Sequence, residues 1–575
     1  MLATVLFITL LCSSTALSSV SRRATTNLDP AWAYNASQFY RRCSQASIVI
    51  GDYLYIDGGE IYYLDDQKSP RSLPLNSTYS VSLTSTWTNR SISLNPIAKG
   101  SAPVLNGANV WPDDAGTSFY SFNGIVSQAY TTPPEPPPDQ LWQFLPDGSS
   151  GSWTIVDAPN LKRLNKAGST SGNGSSYILG GWGSWLTDSE YSSNTALRHP
   201  GGGLVTYNLD TRTWANQSIA ELAPSGWSYE AEFHYLEGLQ RDGLLLAMGG
   251  ATAPPGPISS GGQTLNSYGY VSLFDTATGT WYNQSTTGDI PVQRYDTCSV
   301  GVQGDNGTFE IFLYGGSVVP PQTTQPTDQQ SNIDLAKVSI LSLPSFHWHT
   351  TALNPKHSRA KHSCNLAGNR QMIVVGGAIA NVANAHQTKD PWAQGLGVFD
   401  MTELEWKDSY DPSAATYQTP NIVKQYISAN GQYPTTWDSQ TVESWLSAKA
   451  APNPTSSSSP ASSSPASNGG SGSSNTGAIV GGVVGGVGGL LILGSAFFYR
   501  RHQRSRRIGR QSLNSEELIT RDQEQPHGDA SSMVDMTSHP EELAATEPRT
   551  ELPGMPVGFA TPAAKEAAHG AHELP

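Results

Sequence analysis

Cysteine and charged residues are both scarce in this sequence. Its 575 residues include 4 cysteines, and 14% of them are Asp, Glu, Lys or Arg. So few thiols exclude a fold that depends on a disulfide framework. The formal net charge of −14 argues against a nucleic-acid partner. The chain also lacks a phosphate-binding loop, a nucleophile elbow and a paired metal-binding helix motif, which are the sequence signatures of several large enzyme classes.

Long apolar runs occur only near the two ends of the chain. Residues 1–18 are apolar and end in small residues, which predicts a secretory signal peptide. Residues 477–499 carry no charge, and arginines follow from Arg500 to Arg510, which predicts a transmembrane helix with a cytoplasmic C-terminus. We therefore expect a single-pass type I protein. It would lie in the plasma membrane or another membrane of the secretory pathway, with its main domain outside.

The segments around the predicted membrane helix have their own patterns. Residues 431–476 are rich in Ser, Pro and Gly and predict a stalk, and the polar residues 500–575 predict a disordered tail. Glycines at four-residue spacing favour self-association of the membrane helix, namely Gly477, Gly481, Gly485 and Gly489. N-glycosylation sequons support export and lie at Asn35, Asn76, Asn89, Asn173, Asn216, Asn283 and Asn306.

An internal repeat fills the main domain, residues 31–430. Apolar runs end in a glycine pair five times, and Asn123-Gly124 fills the one gap in the series. The pairs are Gly58-Gly59, Gly180-Gly181, Gly249-Gly250, Gly315-Gly316 and Gly376-Gly377. Self-similarity at a fixed period predicts stacked copies of one supersecondary unit.

Two further marks recur with the glycine pairs. A tryptophan follows each pair by 28 to 33 residues, at Trp87, Trp153, Trp214, Trp281, Trp348 and Trp406. Four of these tryptophans follow an acidic turn residue, namely Asp147, Asp210, Asp275 or Asp400. Arginines precede four of the pairs, at Arg41, Arg163, Arg294 and Arg359. Six units of roughly 60–70 residues, each with room for four short strands, predict an all-β propeller in which the tryptophans fill the wedges between units.

This pattern resembles the kelch repeat over about residues 40–430. The resemblance implies a six-bladed kelch-type β-propeller in which the glycine pair ends the second strand of each blade and the tryptophan follows the third. The first unit lacks the acidic residue, so we expect a less regular blade there. Residues 420–427 are expected to form an outer strand of the sixth blade. A disulfide between Cys43 and Cys364 stays open, since the first and last blades are neighbours in a closed ring. Cys298 and Cys364 are expected at equivalent inner-strand positions, where a thiol usually packs as a small apolar group.

The stretches after the glycine pairs predict a binding face. Gly180–Gly203, Gly249–Tyr270, Gly315–Asp334 and Gly376–Gly397 are long and polar, and equivalent loops of a propeller lie on one face. The candidate ligand-binding residues on them are Trp182, Trp185, Tyr191, Arg198, His199, His386 and Trp392. The alternative is that these aromatics hold their own loops in place and that the repeated arginines bridge units through buried carboxylates. His347 and His349 share one strand face, but no further donors accompany them, so we expect no metal or other cofactor.

The preferred interpretation is a non-catalytic cell-surface recognition protein. Its arrangement resembles kelch-type membrane proteins of filamentous fungi, and its partner would be an unknown protein or a cell-wall glycan. Because galactose oxidase belongs to the same superfamily, a copper oxidase is a first alternative, although its His and Tyr ligands cannot be matched residue by residue. A sensor that transmits cell-wall strain through the stalk to the tail is the second alternative.

Overall fold

The computed structural model describes residues 38–447, with gaps at 65–69, 131, 240–242, 260–261, 319–334, 352–357, 369 and 381–387. The predicted signal peptide, membrane helix and tail lie outside the described residues, and so do Asn35, His386 and the glycines of the membrane helix. Within the described ranges, no helix is long and apolar enough to cross a membrane.

Most strands in the described part of the chain belong to six antiparallel sheets with the same topology. In each sheet four strands follow one another in sequence order, and sheet 5 has a fifth, parallel strand, Thr287–Gly288. Sheet 1 contains Ala46–Ile50, Tyr53–Asp57, Ser77–Ser82 and Asn95–Ala98, and sheet 2 contains Asn109–Pro112, Phe119–Phe122, Leu141–Asp147 and Ser150–Asp157. Sheet 3 contains Gly168–Gly172, Ser175–Leu179, Leu204–Asn208 and Thr213–Gln217, and sheet 4 contains Glu232–Leu236, Leu244–Met248, Tyr270–Asp275 and Thr280–Ser285. Sheet 5 contains Tyr295–Gln303, Phe309–Ser317, Val338–Leu343 and His347–Thr350, and sheet 6 contains Ala360–Ala367, Gln371–Ala378, Leu396–Asp400 and Glu405–Lys407.

The first strands of the six sheets contact one another in cyclic order. Each lies beside the first strand of the next sheet, and that of sheet 6 lies beside that of sheet 1. Hydroxyl and amide groups join this last pair, because Ser47 Oγ lies 2.5 Å from Ser363 Oγ and accepts a hydrogen bond from Asn365 Nδ2 at 2.6 Å. The core therefore lies between the faces of neighbouring sheets.

The glycine pairs and five of the tryptophans occupy the positions that the repeat predicts. Each glycine pair ends or directly follows a second strand. Trp214 lies beside Tyr207 on the neighbouring strand and packs against Phe122 of sheet 2, with ring centroids 5.4 Å apart. Trp348 is fully buried and donates from Nε1 to the carbonyl of Tyr268, just before the third strand of sheet 4. These rings fill the space between sheets, as expected.

The first unit departs from the pattern at its tryptophan. Trp87 lies on a short strand, Trp87–Thr88, that pairs with Ser409–Tyr410 instead of forming the outer strand of sheet 1. Its ring stacks on Tyr410 with centroids 5.4 Å apart. The residues after the sixth sheet thereby return to the first unit, a closure that the sequence analysis did not find. In the third unit the turn is closed by Asn208, whose Oδ1 accepts from the amide of Thr211, and not by Asp210.

Residues 409–446, which we name the strap, correct the prediction of an outer strand at 420–427. They contain helix α1, Asn421–Asn430, and helix α2, Gln440–Leu446. On α1, Val423 and Ile427 pack into one core while Gln425 between them is exposed, which is helical spacing because a strand would turn all three to one face. On α2, Val442 and Leu446 pack into the core shared by sheets 4 and 5. The packed chain thus continues to Ser447, and the predicted start of the stalk at residue 431 is too early.

Short strand pairs extend from the sheets on the side where the glycine pairs lie. Phe39–Cys43, Glu60–Leu64 and Pro70–Pro74 form a three-stranded sheet. Trp182–Gly183 pairs with His199–Pro200, and Ala251–Thr252 pairs with Thr264–Leu265. The loops after three glycine pairs are therefore folded against the main sheets and have their own hydrogen bonds.

The cysteines pair differently from the alternative left open by the sequence. Cys298 and Cys364 form a disulfide between sheets 5 and 6, and Cys43 is a buried free thiol. The two paired cysteines are not at equivalent positions, because Cys298 lies opposite Tyr314 and Cys364 lies opposite Val374, one step further from its glycine pair. Side chains alternate along a strand, so an offset of one residue turns Cys364 towards the preceding sheet and Cys298 towards the following one.

Candidate functional site

A ring of six residues surrounds the centre of the molecule at the end where the glycine pairs lie. All six have a left-handed backbone, with φ between 57° and 63°. Each lies within two residues of the start of a first strand, and they recur every 59 to 66 residues. We name this ring the collar, and its members are Ser44, Gly107, Lys166, Glu230, Asp296 and Lys361.

Backbone hydrogen bonds join neighbouring members of the collar. The amide of Ser44 donates to the carbonyl of Lys361 at 2.9 Å, and the amide of Gly107 donates to the carbonyl of Ser44 at 2.7 Å. On the opposite side the amide of Glu230 donates to the carbonyl of Lys166 at 2.8 Å. Fixing the backbone in this way also fixes the directions in which the collar side chains leave it.

The collar forms the floor of a polar cavity of about 760 Å³. All six collar positions line it, together with the loops that follow three of the glycine pairs and the loop that follows Asn123-Gly124. Those loops contribute Tyr62, Gln128, Trp182, Arg198 and Gln263 among others. Of the four loops predicted to share one face, Gly180–Gly203 and Gly249–Tyr270 line this cavity, and no described residue of Gly315–Asp334 or Gly376–Gly397 does, so a face shared by all four stays a prediction.

Three charged collar residues interact on one side of the cavity. Lys166 forms an ion pair with Asp296 and lies 3.6 Å from Glu230, and the amide of Asp296 donates to Glu230 Oε2 at 2.7 Å. Burial and the charge of Asp296 raise the pKa of Glu230 to about 7. Burial also acts to raise the pKa of Asp296, but the ammonium groups of Lys166 and Lys361 outweigh it and hold that pKa below its usual value. The ammonium of Lys166 is therefore largely neutralised by its two neighbours.

The opposite side of the cavity contains a buried carboxylate that is saturated by neutral donors. Glu60 Oε1 accepts from Asn106 Nδ2 at 2.7 Å and from Ser127 Oγ at 2.5 Å. Its Oε2 accepts from the hydroxyl of Tyr62 at 2.9 Å. Because these lone pairs are occupied, Glu60 organises the loop residues around it and offers a ligand little free acceptor capacity.

Two cations of the cavity make no ion pair with any other described residue. Lys361 is exposed on the collar. The guanidinium of Arg198 lies over the ring of Trp182, 4.7 Å from its centroid. Stacking on a ring does not use the N–H donors of a guanidinium, so Arg198 and Lys361 are the two cationic donors of the cavity that remain for a ligand.

Of the seven residues predicted to bind a ligand, Trp182 and Arg198 line the cavity. Trp182 is nevertheless buried beneath Arg198. Tyr191 stacks on His199, with centroids 4.9 Å apart, and both lie half-buried in their own loop. Trp185 packs with the small apolar cluster of Leu105, Val126 and Leu186. These contacts are those of the alternative in which aromatics hold their loops in place, and a ligand role for each residue stays a prediction.

Trp392 lies in a buried cluster with Asp390 and two of the repeated arginines. Asp390 accepts two hydrogen bonds of 2.7 Å from Arg359, and Arg41 lies 3.6 Å from the same carboxylate. Arg359 also lies over the ring of Trp392 at 3.7 Å. Arg294 instead donates to the carbonyl of Gly315 in its own unit at 3.0 Å. Arg359 and Arg41 also donate to the carbonyls of Gly376 and Gly377, whereas Arg163 donates to those of Pro137 and Thr187. Three of the four repeated arginines thus hold a glycine end, and one buried carboxylate serves two of them.

Two groupings resemble catalytic sets but lack the geometry for catalysis. Ser299 Oγ lies 2.7 Å from His234 Nε2 and also donates to Glu232. In a catalytic triad the acid accepts a hydrogen bond from the histidine, whereas here Glu232 accepts one from Ser299 itself, so His234 lacks the orienting acid of a triad. The second grouping is the pair His347 and His349. His347 stacks on the ring of Tyr426 of helix α1, with centroids 3.7 Å apart, so it packs against the strap.

The collar and a group of metal-ligand side chains beside it were not predicted from the sequence. In the described part of the chain, one group of three side chains has metal-ligand atoms within 4.8 Å of one another, namely Cys298, His362 and Cys364. Two of its three donors are joined in the disulfide. A signal for the collar was present, because four of its members follow a repeated arginine by two or three residues, but nothing in the sequence indicated their backbone conformation.

Comparisons with known proteins agree with the repeat. No protein-family model matches the chain. A kelch repeat-containing protein of Arthroderma benhamiae is 25% identical over 414 residues, which are 64% of this chain and 57% of that protein, so the chain spans little more than half of its relative's length. The solved structure of YjhT matches with a TM-score of 0.42 and 12% identity, over 64% of this chain and 97% of that one. The relative and the six repeated sheets support a kelch-repeat fold.

Proposed function

We propose that this chain is a non-catalytic recognition protein of the cell surface. Its six sheets are the blades of a closed six-bladed propeller, and the cavity above the collar binds a protein or a cell-wall glycan. The cyclic contacts between the first strands, including those between sheets 6 and 1, support six blades. The arrangement is that of a single-pass kelch membrane protein of the filamentous-fungal type.

The cavity is the observation that carries this proposal. A kelch-repeat fold alone assigns no function, because similar folds serve many functions. Here all six units contribute residues to one polar cavity, and its carboxylates are already paired within the protein. Lys361 and Arg198 remain as donors, and amide side chains such as Gln128 surround them. This is the lining that a polar ligand with acceptor groups needs.

The location of the protein at the cell surface rests on the sequence pattern. The signal peptide, the sequons and the uncharged segment 477–499 followed by arginines all favour a membrane-anchored protein whose propeller lies outside the cell. The described part of the chain ends at residue 447, close to the predicted stalk. A recognition domain raised above the membrane on such a stalk is free to contact the cell wall.

The proposal is tested by a binding screen with matched lysine variants. The full chain, purified in mild detergent, is passed over immobilised cell-wall polysaccharides and purified wall proteins. Lys361→Ala removes an unpaired cation of the cavity, whereas Lys424→Ala removes a partly exposed lysine on helix α1 that pairs with Asp305 at 2.9 Å. We expect Lys361→Ala to weaken binding at least about tenfold, the effect of one lost charged contact, and Lys424→Ala to leave it unchanged.

The same samples separate this proposal from its alternatives. Equal binding by both variants would place the ligand elsewhere on the surface and contradict the cavity as the site. Stoichiometric copper in the purified chain, together with peroxide formed from sugars or alcohols, would replace the proposal with the oxidase alternative. A panel of simple sugars, long-chain alcohols and galactose-containing polymers covers the substrates needed for that measurement.

A further inference from the structure

Three soft metal-ligand side chains meet between the first strands of sheets 5 and 6. The sulfur atoms of Cys298 and Cys364 and a ring nitrogen of His362 lie within 4.8 Å of one another. His362 and Cys364 are two residues apart on one strand, so both side chains face sheet 5, where Cys298 faces them from the opposite strand. The group lies directly beside the collar residues Asp296 and Lys361.

The imidazole of His362 lacks the hydrogen bonds that a buried ring normally has. The residue is 7% exposed, and the backbone of Tyr314, the polar group that faces the ring, does not meet the geometry of a hydrogen bond to either ring nitrogen. By contrast, His234, on the first strand of sheet 4, has Ser299 at 2.7 Å. Leaving a buried polar group without a partner costs about 1–3 kcal/mol, so such a group points to a role beyond packing.

The space for this ring is created by the glycine pair of sheet 5. A Cβ on Gly315 would lie 2.4 Å from His362 Cε1, which is closer than two carbon atoms approach. The ring therefore rests on the backbone of Gly315, next to the two sulfur atoms. His362 also lines the collar cavity, which gives water and small ions a path to it.

We propose that Cys298, Cys364 and His362 form a redox-gated metal site. Oxidised, the group holds the disulfide; reduced, it binds one zinc ion through two thiolates and one imidazole nitrogen. Sulfur and imidazole ligands select Zn²⁺ over Mg²⁺ or Ca²⁺, and three protein ligands leave a fourth position for water from the cavity. The imidazole thereby gains, in the reduced protein, the partner that it lacks in the oxidised one.

The two states are connected by a balanced exchange with a thiol reductant. A dithiol attacks the disulfide, its two thiol groups become a disulfide, and Cys298 and Cys364 each receive one electron and one proton. Zinc binding then displaces the two thiol protons to water, leaving a zinc dithiolate held by His362. In both states a covalent or coordinate link joins sheets 5 and 6, so the contact between these sheets is kept.

The test uses cobalt as a spectroscopic substitute for zinc. The full chain is prepared oxidised and after reduction with a phosphine, and each form is titrated with Co²⁺ alone. We expect the reduced form to bind one Co²⁺ with a thiolate-to-cobalt charge-transfer band that Zn²⁺ abolishes, and the oxidised form to show no such band. His362→Phe keeps the ring volume and the disulfide but removes both nitrogens, and it should weaken binding at least about tenfold, the smallest effect seen when even an outer partner of a ligand is lost.

The chain offers a matched control for the thiols. Replacing the other two cysteines in Cys12→Ser/Cys43→Ser should leave the stoichiometry, the band and the affinity unchanged. The proposal is overturned if reduced protein binds no Co²⁺ with a thiolate band, or if His362→Phe binds as tightly as the natural sequence. It is also overturned if reduction abolishes the near-ultraviolet circular dichroism of the folded chain and Zn²⁺ does not restore it.

Discussion

The role of the glycine pairs in the close packing of neighbouring sheets is tested most directly by adding one methyl group to one of these glycines. Gly180 ends the second strand of sheet 3 with φ +63°, and a Cβ built on it would lie 1.8 Å from the carbonyl oxygen of Ser228. That carbonyl accepts a hydrogen bond of 2.7 Å from the amide of Gly181. Ser228 lies between the last strand of sheet 3 and the first of sheet 4, so Gly180→Ala disturbs the junction of two sheets.

The expected cost follows from two separate contributions. An alanine in the left-handed region costs about 1–2 kcal/mol. Displacing the Ser228 carbonyl breaks its hydrogen bond to Gly181 and costs about 1–3 kcal/mol more. Gly279 is the matched control, since it has φ +70° but nothing within 4 Å of an added Cβ, so only the first contribution applies. We expect a loss of unfolding free energy of about 2–5 kcal/mol for Gly180→Ala and about 1–2 kcal/mol for Gly279→Ala.

Urea unfolding followed by tryptophan fluorescence measures both variants on the same scale, because tryptophans lie between the sheets. The free energy of unfolding is compared only if the two variants share the denaturant slope of the natural sequence. Equal losses for Gly180→Ala and Gly279→Ala would refute the reasoning. They would mean that the glycine pairs are required only for their backbone angles and not for the close approach of the next unit.

Three further predictions concern buried charge and modification. Asp390→Ala leaves two buried guanidinium groups without their carboxylate and should lower the unfolding free energy by about 3–5 kcal/mol, whereas Asp408→Ala at an exposed ion pair should cost less than about 1 kcal/mol in the same urea assay. Burial raises the pKa of Glu310 to about 7, so the folded state binds the carboxyl proton more tightly than the unfolded state does. Ionised Glu310 therefore lowers the free energy of unfolding progressively as the pH rises from about 4.5 to 7. Glu310→Gln should therefore be more stable than the natural sequence by up to about 3 kcal/mol at pH 8 and equal to it below pH 4, and an advantage that does not vary with pH would contradict this. Peptide mass mapping of the exported chain should find a glycan on exposed Asn173 and none on Asn89, which is 6% exposed, and a fully occupied Asn89 would contradict its burial.

The periodic features of the fold could be predicted because they recur. Six glycine-ended runs and the tryptophans after them report the same local physics in each unit, and chance matches do not repeat at constant spacing. The second strands and the positions of five of the tryptophans followed from this pattern. The prediction failed where a residue makes its main contacts outside its own repeat unit. The repeat predicts Trp87 on the outer strand of its own sheet, but its ring stacks on Tyr410, which follows the sixth sheet in the sequence.

The strap was misread because local propensity competed with tertiary packing. Ile422 and Val423 are β-branched and favour a strand when the sequence is considered alone. In the folded chain Val423 enters the core between sheets 5 and 6, while Lys424 pairs with Asp305 on the surface. A helix satisfies both contacts and also returns Ile427 to the same core while Gln425 faces solvent, whereas a strand would turn Val423, Gln425 and Ile427 to one side.

The chemistry of the collar could not be predicted because its members share a conformation and not a residue type. A left-handed backbone is usual for glycine, yet five of the six positions carry a side chain. Such positions persist only where the surroundings impose them, as the backbone hydrogen bonds from Ser44 to Lys361 and from Gly107 to Ser44 do here. Once the backbone is fixed by its neighbours, the side chain at each collar position is free to differ. One side of the ring carries the interacting charges of Lys166, Glu230 and Asp296, and the other carries Ser44, Gly107 and the lone cation of Lys361, so six similar backbone positions line a cavity without sixfold symmetry.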